Sequence, residues 1–230
     1  MSKTIIITGA SGNLGKATVE KLIAEGYTLV VTVAPGLKLG FHEDHPQIDI
    51  QYVDMMDEPG VEGMVNEVIK KYGTVDAALL IVGGYAGGTI KDTSGSAIQK
   101  MIDLNFNTAY HIARPVFNHL IEKNQGRIIF IGARPAIRAS EGKNNLAYAL
   151  SKSLIFKLSE FLNAEAKDTN VVTSVIVPST MDTPANRKYN PNADFSKWVK
   201  PGDVAELMAY LISEKGAALR EPVLKMYGGS

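Results

Sequence analysis

Residues 4–22, TIIITGASGNLGKATVEKL, decide the fold. The β-branched run Thr4 to Thr8 is typical of a strand buried on both faces of a parallel sheet. Three glycines follow at once, and helical spacing begins at Asn13. Glycines at a strand-to-helix turn let the backbone approach a pyrophosphate, which the free N–H groups at the helix start can bind. The stretch therefore predicts a dinucleotide-binding loop made by Gly9, Ser11, Gly12, Asn13, Leu14 and Gly15.

The rest of the chain repeats this alternation of strand and helix. Further apolar runs occupy residues 28–33, 49–53, 76–82, 127–131, 171–177 and 222–227. Helix-length segments occupy 13–25, 59–71, 96–123, 145–167 and 201–213. This order predicts an α/β fold, a Rossmann-type doubly wound parallel sheet of about seven strands with helices on both faces. No linker or repeat interrupts it, so we expect residues 1–230 to form a single domain.

Composition narrows the classes of partner. The 24 basic and 24 acidic residues balance, so no global field attracts nucleic acid or anionic lipid, and we expect neither as a partner. The apolar runs are far shorter than the roughly 20 residues that span a bilayer, and no signal peptide is apparent, so we expect a cytoplasmic protein. There is no cysteine, and the loop HEDH at 42–45 lacks metalloprotease spacing, so no metal site is expected.

The end of the second strand bears on the choice of dinucleotide. An acid about 20 residues after the glycine loop commonly binds the ribose hydroxyls of NAD, but Ala34 stands there. The absence of a carboxylate permits a 2′-phosphate, for which Lys38, and also Lys16, could supply positive charge. The sequence therefore favours NADP over NAD, with a solvated Lys38 as the alternative. Asp54 ends the third strand and could accept from the adenine amine or cap the next helix.

A tyrosine and a lysine lie four positions apart in AYALSK, residues 147–152. Residues at this spacing share a helix face, so Tyr148 and Lys152 can meet over one substrate. A nearby ammonium stabilises phenolate and lowers a tyrosine pKa from about 10, which suits general acid or base catalysis. The alternative is an ordinary helical pair.

The chain resembles the short-chain dehydrogenase/reductase family over nearly its whole length. The matching stretches are TGASGNLG at 8–15, VD at 53–54, the asparagine at 105, YALSK at 148–152 and VPSTMDTP at 177–184. The resemblance implies that Tyr148 transfers the proton, that Lys152 holds the cofactor ribose and tunes the tyrosine, and that Asn105 positions a water relay. A structural asparagine is the alternative for Asn105. By the same resemblance the cofactor is lined by Gly83, Gly84, Pro178 and Thr183.

The departures from the family pattern are specific. Gly83 and Gly84 replace an asparagine-containing turn, and Ala133 stands where the catalytic serine is usual; Ser140 lies well past the strand end. The stretches VDAALLIVGGYAGG, IGARPA and MDTPANRKYNPNADFSKW resemble the dihydropteridine reductases of the family. The resemblance makes residues 181–200 a substrate lid. It also places four residues at the substrate: Tyr85, Ala133, Arg134 and Trp198.

We therefore expect a reductase that transfers hydride from NAD(P)H to a small planar acceptor, with Tyr148 as proton donor. Tyr85 or Trp198 would stack on the acceptor, and Arg134 would either meet an anionic group or only flank the loop. Rival readings are a generic carbonyl or quinone reductase of the same family and a non-catalytic NADP sensor. The helices at 96–123 and 145–167 carry apolar residues on more than one face, so a homodimer or homotetramer through them is expected.

Overall fold

The computed structural model describes residues 2–229, and one seven-stranded parallel sheet organises them. The strands are β1 Thr4–Thr8, β2 Thr28–Val33, β3 Ile48–Tyr52, β4 Ala77–Leu80, β5 Gln125–Ile131, β6 Asn170–Pro178 and β7 Val223–Met226. Their order is β3-β2-β1-β4-β5-β6-β7, and all neighbours are parallel. This is the doubly wound sheet that the alternating runs predict, so the fold expectation is confirmed.

Helices cover both faces of the sheet. They are α1 Asn13–Ala24, α2 Glu58–Tyr72, α3 Gly95–Ile102, α4 Thr108–Glu122, α5 Arg134–Ile137, α6 Ala139–Gly142, α7 Leu146–Glu165, α8 Pro184–Tyr189 and α9 Pro201–Ile212. One buried cluster packs α2, α4 and α7 on one face, and a second packs α1 and α9 on the other. No helix among residues 2–229 is long and apolar enough to cross a membrane.

The carboxyl ends of four parallel strands, β1, β4, β5 and β6, lie along the same side of the sheet. The strand order reverses between β1 and β4, and ligands of such folds bind at the carboxyl ends of the strands beside that point. The glycine loop follows β1, Gly83 follows β4, and Ala133 follows β5. Pro178 is the last residue of β6. The residues predicted from separate motifs are therefore brought to one edge of the sheet by its topology alone.

The long middle helix differs from the expectation. Residues 95–122 are helical throughout, but Asp103–Asn107 between α3 and α4 form a π-helical turn. Such turns are rare and occur most often at functional sites. This turn contains Asn105, which is 1% exposed.

The unpatterned segment 181–200 is more ordered than its sequence indicates. It contains α8 and a 3₁₀ turn at Phe195–Lys197, and Met181 pairs with Val199 in an isolated parallel bridge. The Gly229 N–H donates to the Lys197 carbonyl at 3.0 Å, which fastens this segment to the end of the described chain.

Candidate active site

The glycine loop has the shape of an anion-binding cradle. Gly9 has φ of +68°, a conformation that favours glycine. A Cβ at Gly15 would lie 2.2 Å from the Gly9 carbonyl oxygen, so only glycine allows this close approach. Gly12 caps α1, whose first turn has neither a side-chain cap nor an acidic residue. The N-terminus of α1 thus presents unopposed partial positive charge, which fits a dinucleotide pyrophosphate.

The side chains of this loop have different surroundings. Ser11 and Asn13 are exposed, so both are free to contact a ligand. Leu14 is 5% exposed and packs in the core beneath α1. The side chain of Leu14 is therefore structural, and only its backbone can face the cofactor predicted there.

The end of β2 carries a turn and no carboxylate. The Leu37 N–H donates to the Ala34 carbonyl at 3.0 Å, and Gly36 between them has φ of +81°, as a type II turn requires. Lys38 is exposed beyond this turn. Lys16 lies 5.5 Å from the centre of the Phe41 ring and 3.9 Å from Glu20. Neither contact occupies a place at Ala34 itself, and both lysines remain candidates for the positive charge that a 2′-phosphate would need.

Asp54 does not cap the next helix, the alternative given for it, and instead forms a local turn. Its carboxylate accepts from the Met56 N–H at 2.9 Å, and its carbonyl accepts from the Asp57 N–H at 3.0 Å. Asp57, not Asp54, is the N-cap residue of α2. The carboxylate of Asp54 is nevertheless exposed at the carboxyl side of β3, where an adenine could reach it.

Tyr148 and Lys152 lie one turn apart on α7, and burial perturbs both. Burial raises the pKa of Tyr148 to about 12, with a further contribution from Tyr85. The two tyrosine rings meet edge to face, with centroids 5.2 Å apart. Burial lowers the pKa of Lys152 to about 8, and its Nζ donates to the Ile131 carbonyl at 2.8 Å. The expected lowering of the Tyr148 pKa by Lys152 is wrong for this chain, because desolvation dominates and the ammonium is turned to β5.

Asn105 joins three segments of the site. Its Oδ1 accepts from the Gly84 N–H at 2.8 Å, and its Nδ2 donates to the Gly84 carbonyl at 3.1 Å and to Ser151 Oγ at 3.0 Å. Ser151 is fully buried and donates to the Tyr148 carbonyl at 2.8 Å. The side chain of Asn105 thus fixes the β4 loop to the turn of α7 that carries Tyr148. The Asn105 amide therefore has hydrogen-bond partners within the protein. A structural asparagine is the alternative to the water relay that the resemblance implies.

The glycine pair after β4 makes room for these groups. A Cβ at Gly83 would lie 2.7 Å from Asn105 Oδ1 and 3.2 Å from Lys152 Nζ. A Cβ at Gly84 would lie 2.5 Å from Leu104 Cδ2. Packing against the π-turn and Lys152 therefore explains why glycine occupies both positions.

The end of β5 places an apolar residue where the family has serine. Ala133 is 3% exposed and caps α5, and Ser140 is exposed on α6. Arg134 does not extend freely into the cleft: its Nε lies 2.7 Å from Glu141, and its guanidinium stacks 5.3 Å from the centre of the Tyr227 ring. These contacts favour the flanking role of Arg134 over the binding of an anionic substrate.

The segment 181–200 carries its own polar and aromatic contacts. Thr183 is 8% exposed, and its hydroxyl oxygen accepts from the Asn186 N–H at 3.2 Å as the cap of α8. Trp198 is half-buried and packs against Phe195, with ring centroids 4.8 Å apart. Tyr85, in contrast, is 58% exposed beside Tyr148. Of the two proposed stacking residues, Tyr85 is the one whose ring contacts the ring of Tyr148.

Ser151 is the residue that sequence reasoning missed. It lies inside the quoted YALSK stretch, but its partner Asn105 is 46 positions away in the chain. The sequence did contain one signal for Ser151. It comes three residues after Tyr148, so it lies on the face of α7 that also carries Lys152.

The sheet topology, the glycine cradle and the Tyr148–Lys152 turn together define a Rossmann-type nucleotide-binding oxidoreductase. A sequence profile described as short chain dehydrogenase matches residues 3–194. The chain belongs to the short-chain dehydrogenase/reductase family, and it is an NAD(P)H-dependent reductase of that family.

Several proteins are similar over most of their length. Acetoacetyl-CoA reductase of Acinetobacter sp. (strain RA3849) is 26% identical, with 99% of this chain and 97% of that protein covered. Dihydropteridine reductase of Dictyostelium discoideum is 27% identical over 90% of this chain and 86% of its own. The solved structure described as ElxO with NADP bound superposes with a TM-score of 0.90 at 21% identity, covering 100% of this chain and 98% of that one. At that identity the structural likeness supports the fold alone.

Proposed function

We propose that the chain reduces a small planar acceptor in the manner of a dihydropteridine reductase, with Tyr148 as the proton donor. One observation carries the proposal: the exposed ring of Tyr85 meets Tyr148 edge to face, with ring centroids 5.2 Å apart, while Ala133 stands at the end of β5 in place of the usual serine. A flat heterocycle spreads the charge it gains over its own heteroatoms, so a proton donor suffices without a serine.

Each group of residues in the site has its own proposed role. The loop at Gly9, Gly12 and Gly15 would hold the pyrophosphate, and Gly83, Pro178 and Thr183 would line the nicotinamide side. Bound NAD(P)H supplies the hydride. Tyr148 holds a proton at its hydroxyl, and Lys152, one turn along α7, would hold the cofactor ribose. Holding the acceptor close to the cofactor in reactive geometry contributes much of the rate enhancement.

The cofactor is proposed to be NADPH in preference to NADH. The support is the absence of an acid at Ala34 together with the exposed Lys38 and Lys16. Titration with each dinucleotide, followed by nicotinamide fluorescence, tests the preference. Lys38→Ala should weaken NADPH binding and leave NADH binding unchanged. Equal weakening of both would contradict the assignment of Lys38 to a 2′-phosphate.

The acceptor is proposed to bind between Tyr85 and residues 181–200, which would act as a lid. Support comes from the exposed ring of Tyr85 beside Tyr148 and from the Dictyostelium dihydropteridine reductase among the relatives. A carbonyl or ketoacyl reductase is the second candidate, because acetoacetyl-CoA reductase and an acyl-carrier-protein reductase are also among the relatives. Ala133 weighs against it, since a carbonyl oxygen develops localised charge that a hydroxyl usually stabilises.

A panel of acceptors separates the candidates. NADPH and NADH oxidation are followed with quinonoid dihydropterin, with simple quinones and with acetoacetyl thioesters. We expect turnover of the dihydropterin, abolished by Tyr148→Phe. Preferential turnover of the thioester would favour the second candidate, and a strong gain of dihydropterin activity in Ala133→Ser would contradict the role given to Ala133. Tight cofactor binding without turnover, unchanged in Tyr148→Phe, would favour a redox sensor.

A homodimer or homotetramer through α4 and α7 is part of the proposal. Leu150 is 43% exposed, Leu154 37% and Phe161 66%, all on α7, so this helix presents apolar side chains to solvent. Sedimentation velocity of wild type and Phe161→Glu tests it: we expect the variant to shift towards monomer. A monomeric wild type would contradict it.

A further inference from the structure

Residues 226–229 contact three segments that form the candidate site. The first is the end of β6. Met226 is the last residue of β7, and its carbonyl accepts from the Ser179 N–H at 2.8 Å. The Ser179 hydroxyl then donates to the Tyr227 carbonyl at 2.8 Å. Since Ser179 directly follows Pro178, the chain after β7 is fixed beside a residue predicted to line the cofactor.

The second contact joins the Tyr227 ring to the segment that follows β5. The guanidinium carbons of Arg134 and Arg138 lie 5.3 and 5.2 Å from the ring centre, within the range of cation–π contacts. Glu141 lies 2.7 Å from Arg134 Nε and 3.4 Å from Arg138 Nη1, so it holds both arginines in place. Arg134 directly follows Ala133, so the ring is attached next to the residue that replaces the usual serine.

The third contact joins the two glycines after Tyr227 to the proposed lid. The Gly229 N–H donates to the Lys197 carbonyl at 3.0 Å. Gly228 has φ of +59°, and a Cβ there would lie 2.4 Å from the same carbonyl oxygen, so only glycine allows this approach. Lys197 directly precedes Trp198, which is predicted to contact the substrate. The lid is therefore attached, next to Trp198, to the segment that carries Tyr227.

We propose that Tyr227 is a positioning residue, which holds Trp198 and the lid in place relative to Ala133. The inference rests on the proposed function, because it concerns the lid over the proposed acceptor site. Two cations fix the ring on the β5 side, and the glycines that follow carry that position to Lys197. Loss of the ring contact would let the lid move away from the acceptor, while the glycine loop after β1 would keep its shape.

The experiment compares four variants with wild type. Tyr227→Leu removes the ring and keeps an apolar side chain, whereas Tyr227→Phe keeps the ring. Gly228→Ala brings a Cβ against the Lys197 carbonyl. Gly73→Ala is its matched control, because Gly73 at the end of α2 also has a left-handed φ of +75°, while a Cβ there would meet no described atom within 4 Å beyond its chain neighbours.

Two kinds of measurement are made on each protein. Trp198 is the only tryptophan of the chain, so its emission maximum and its quenching by acrylamide report on the lid without any turnover. Steady-state kinetics give KM and kcat for quinonoid dihydropterin, and nicotinamide fluorescence gives the Kd of NADPH. The comparison of KM with this Kd separates a displaced lid from a general loss of structure.

We expect Tyr227→Leu and Gly228→Ala to shift Trp198 emission to the red and to increase its quenching, because the indole becomes more exposed as the lid moves. The KM for dihydropterin should rise about three- to tenfold, the effect of one or two cation–π contacts. The kcat and the Kd of NADPH should change less than about twofold. Tyr227→Phe and Gly73→Ala should match wild type in all of these values.

Several outcomes would overturn the inference. Wild-type fluorescence and KM in both Tyr227→Leu and Gly228→Ala would refute it and leave the proposed function intact. Equal rises in the KM for dihydropterin and the Kd of NADPH would show a general loss of structure. Tyr227→Phe as impaired as Tyr227→Leu would refute the role of the ring. If wild type does not turn over dihydropterin, the proposed function fails, and Trp198 fluorescence still decides whether Tyr227 holds the lid.

Discussion

Lys152→Met is expected to stabilise the chain without bound dinucleotide while abolishing its activity. Lys152 is 5% exposed, and burial lowers its pKa from the ordinary 10.5 to about 8. One pH unit corresponds to about 1.4 kcal/mol, so charging this lysine costs the folded state about 3 kcal/mol at pH 7. The variant also loses the hydrogen bond to the Ile131 carbonyl, worth about 1 kcal/mol. The expected net gain in the free energy of unfolding at pH 7 is about 2 kcal/mol.

The dependence on pH identifies the cause. Between pH 8 and 10.5 the unfolded chain binds more protons at this lysine than the folded chain does, so wild-type stability from this group rises with pH across that window. Below pH 8 both states are protonated, and the full penalty is present. The advantage of Lys152→Met should therefore be greatest at pH 7 and shrink towards pH 10.5.

Urea unfolding followed by circular dichroism at pH 7, 8.5 and 10 measures the effect. Lys143→Met is the control: Lys143 is exposed, and its replacement should change stability by less than about 0.5 kcal/mol. A Lys152→Met variant less stable than wild type at pH 7 would refute the reasoning, as would a gain that stays constant across the three pH values.

Three further predictions concern other parts of the fold. Ser151→Ala removes the bonds to Asn105 and to the Tyr148 carbonyl, so kcat should fall about tenfold and stability by about 1–2 kcal/mol, as measured by steady-state kinetics and urea unfolding. Gly15→Ala places a Cβ against backbone atoms, so dinucleotide binding should be lost in fluorescence titrations, and retained affinity would contradict the cradle. Burial lowers the pKa of His119, whose Nε2 accepts from the Val75 N–H, so stability should fall as pH drops below about 6.5. His119→Gln should flatten that part of the profile in urea unfolding at pH 7.5 and 5.5.

The fold could be predicted because its signals are local. Each buried strand is a continuous apolar run, and β1 and β2 begin and end at the predicted residues. The glycine loop could be predicted for the same reason, since its turn and helix start are adjacent in the chain. The spacing of Tyr148 and Lys152 needed only helical geometry. Their roles, and those of the other proposed site residues, stay predictions.

The electrostatics and the hydrogen-bond register could not be predicted from the sequence. The pKa of Tyr148 depends on how deeply packing buries it and on Tyr85, which comes from another segment. A π-turn leaves no mark in apolar periodicity, because it changes the hydrogen-bond register of the helix while the same residue types continue. The caps of α8 by Thr183 and of α2 by Asp57 likewise depend on where the backbone ends each loop.

The π-turn at Asp103–Asn107 constrains the length of its helix. A π-turn is equivalent to one residue inserted into an α-helix, since each hydrogen bond spans five residues in place of four. Deleting one residue there would restore continuous α-helix and remove the widened turn that now carries Asn105. Ile112 and Val116 could remain in the core, while Asn105 would turn away from Gly84. A gap at this helix in an alignment with a relative would therefore indicate a changed active site, even where every other motif is retained.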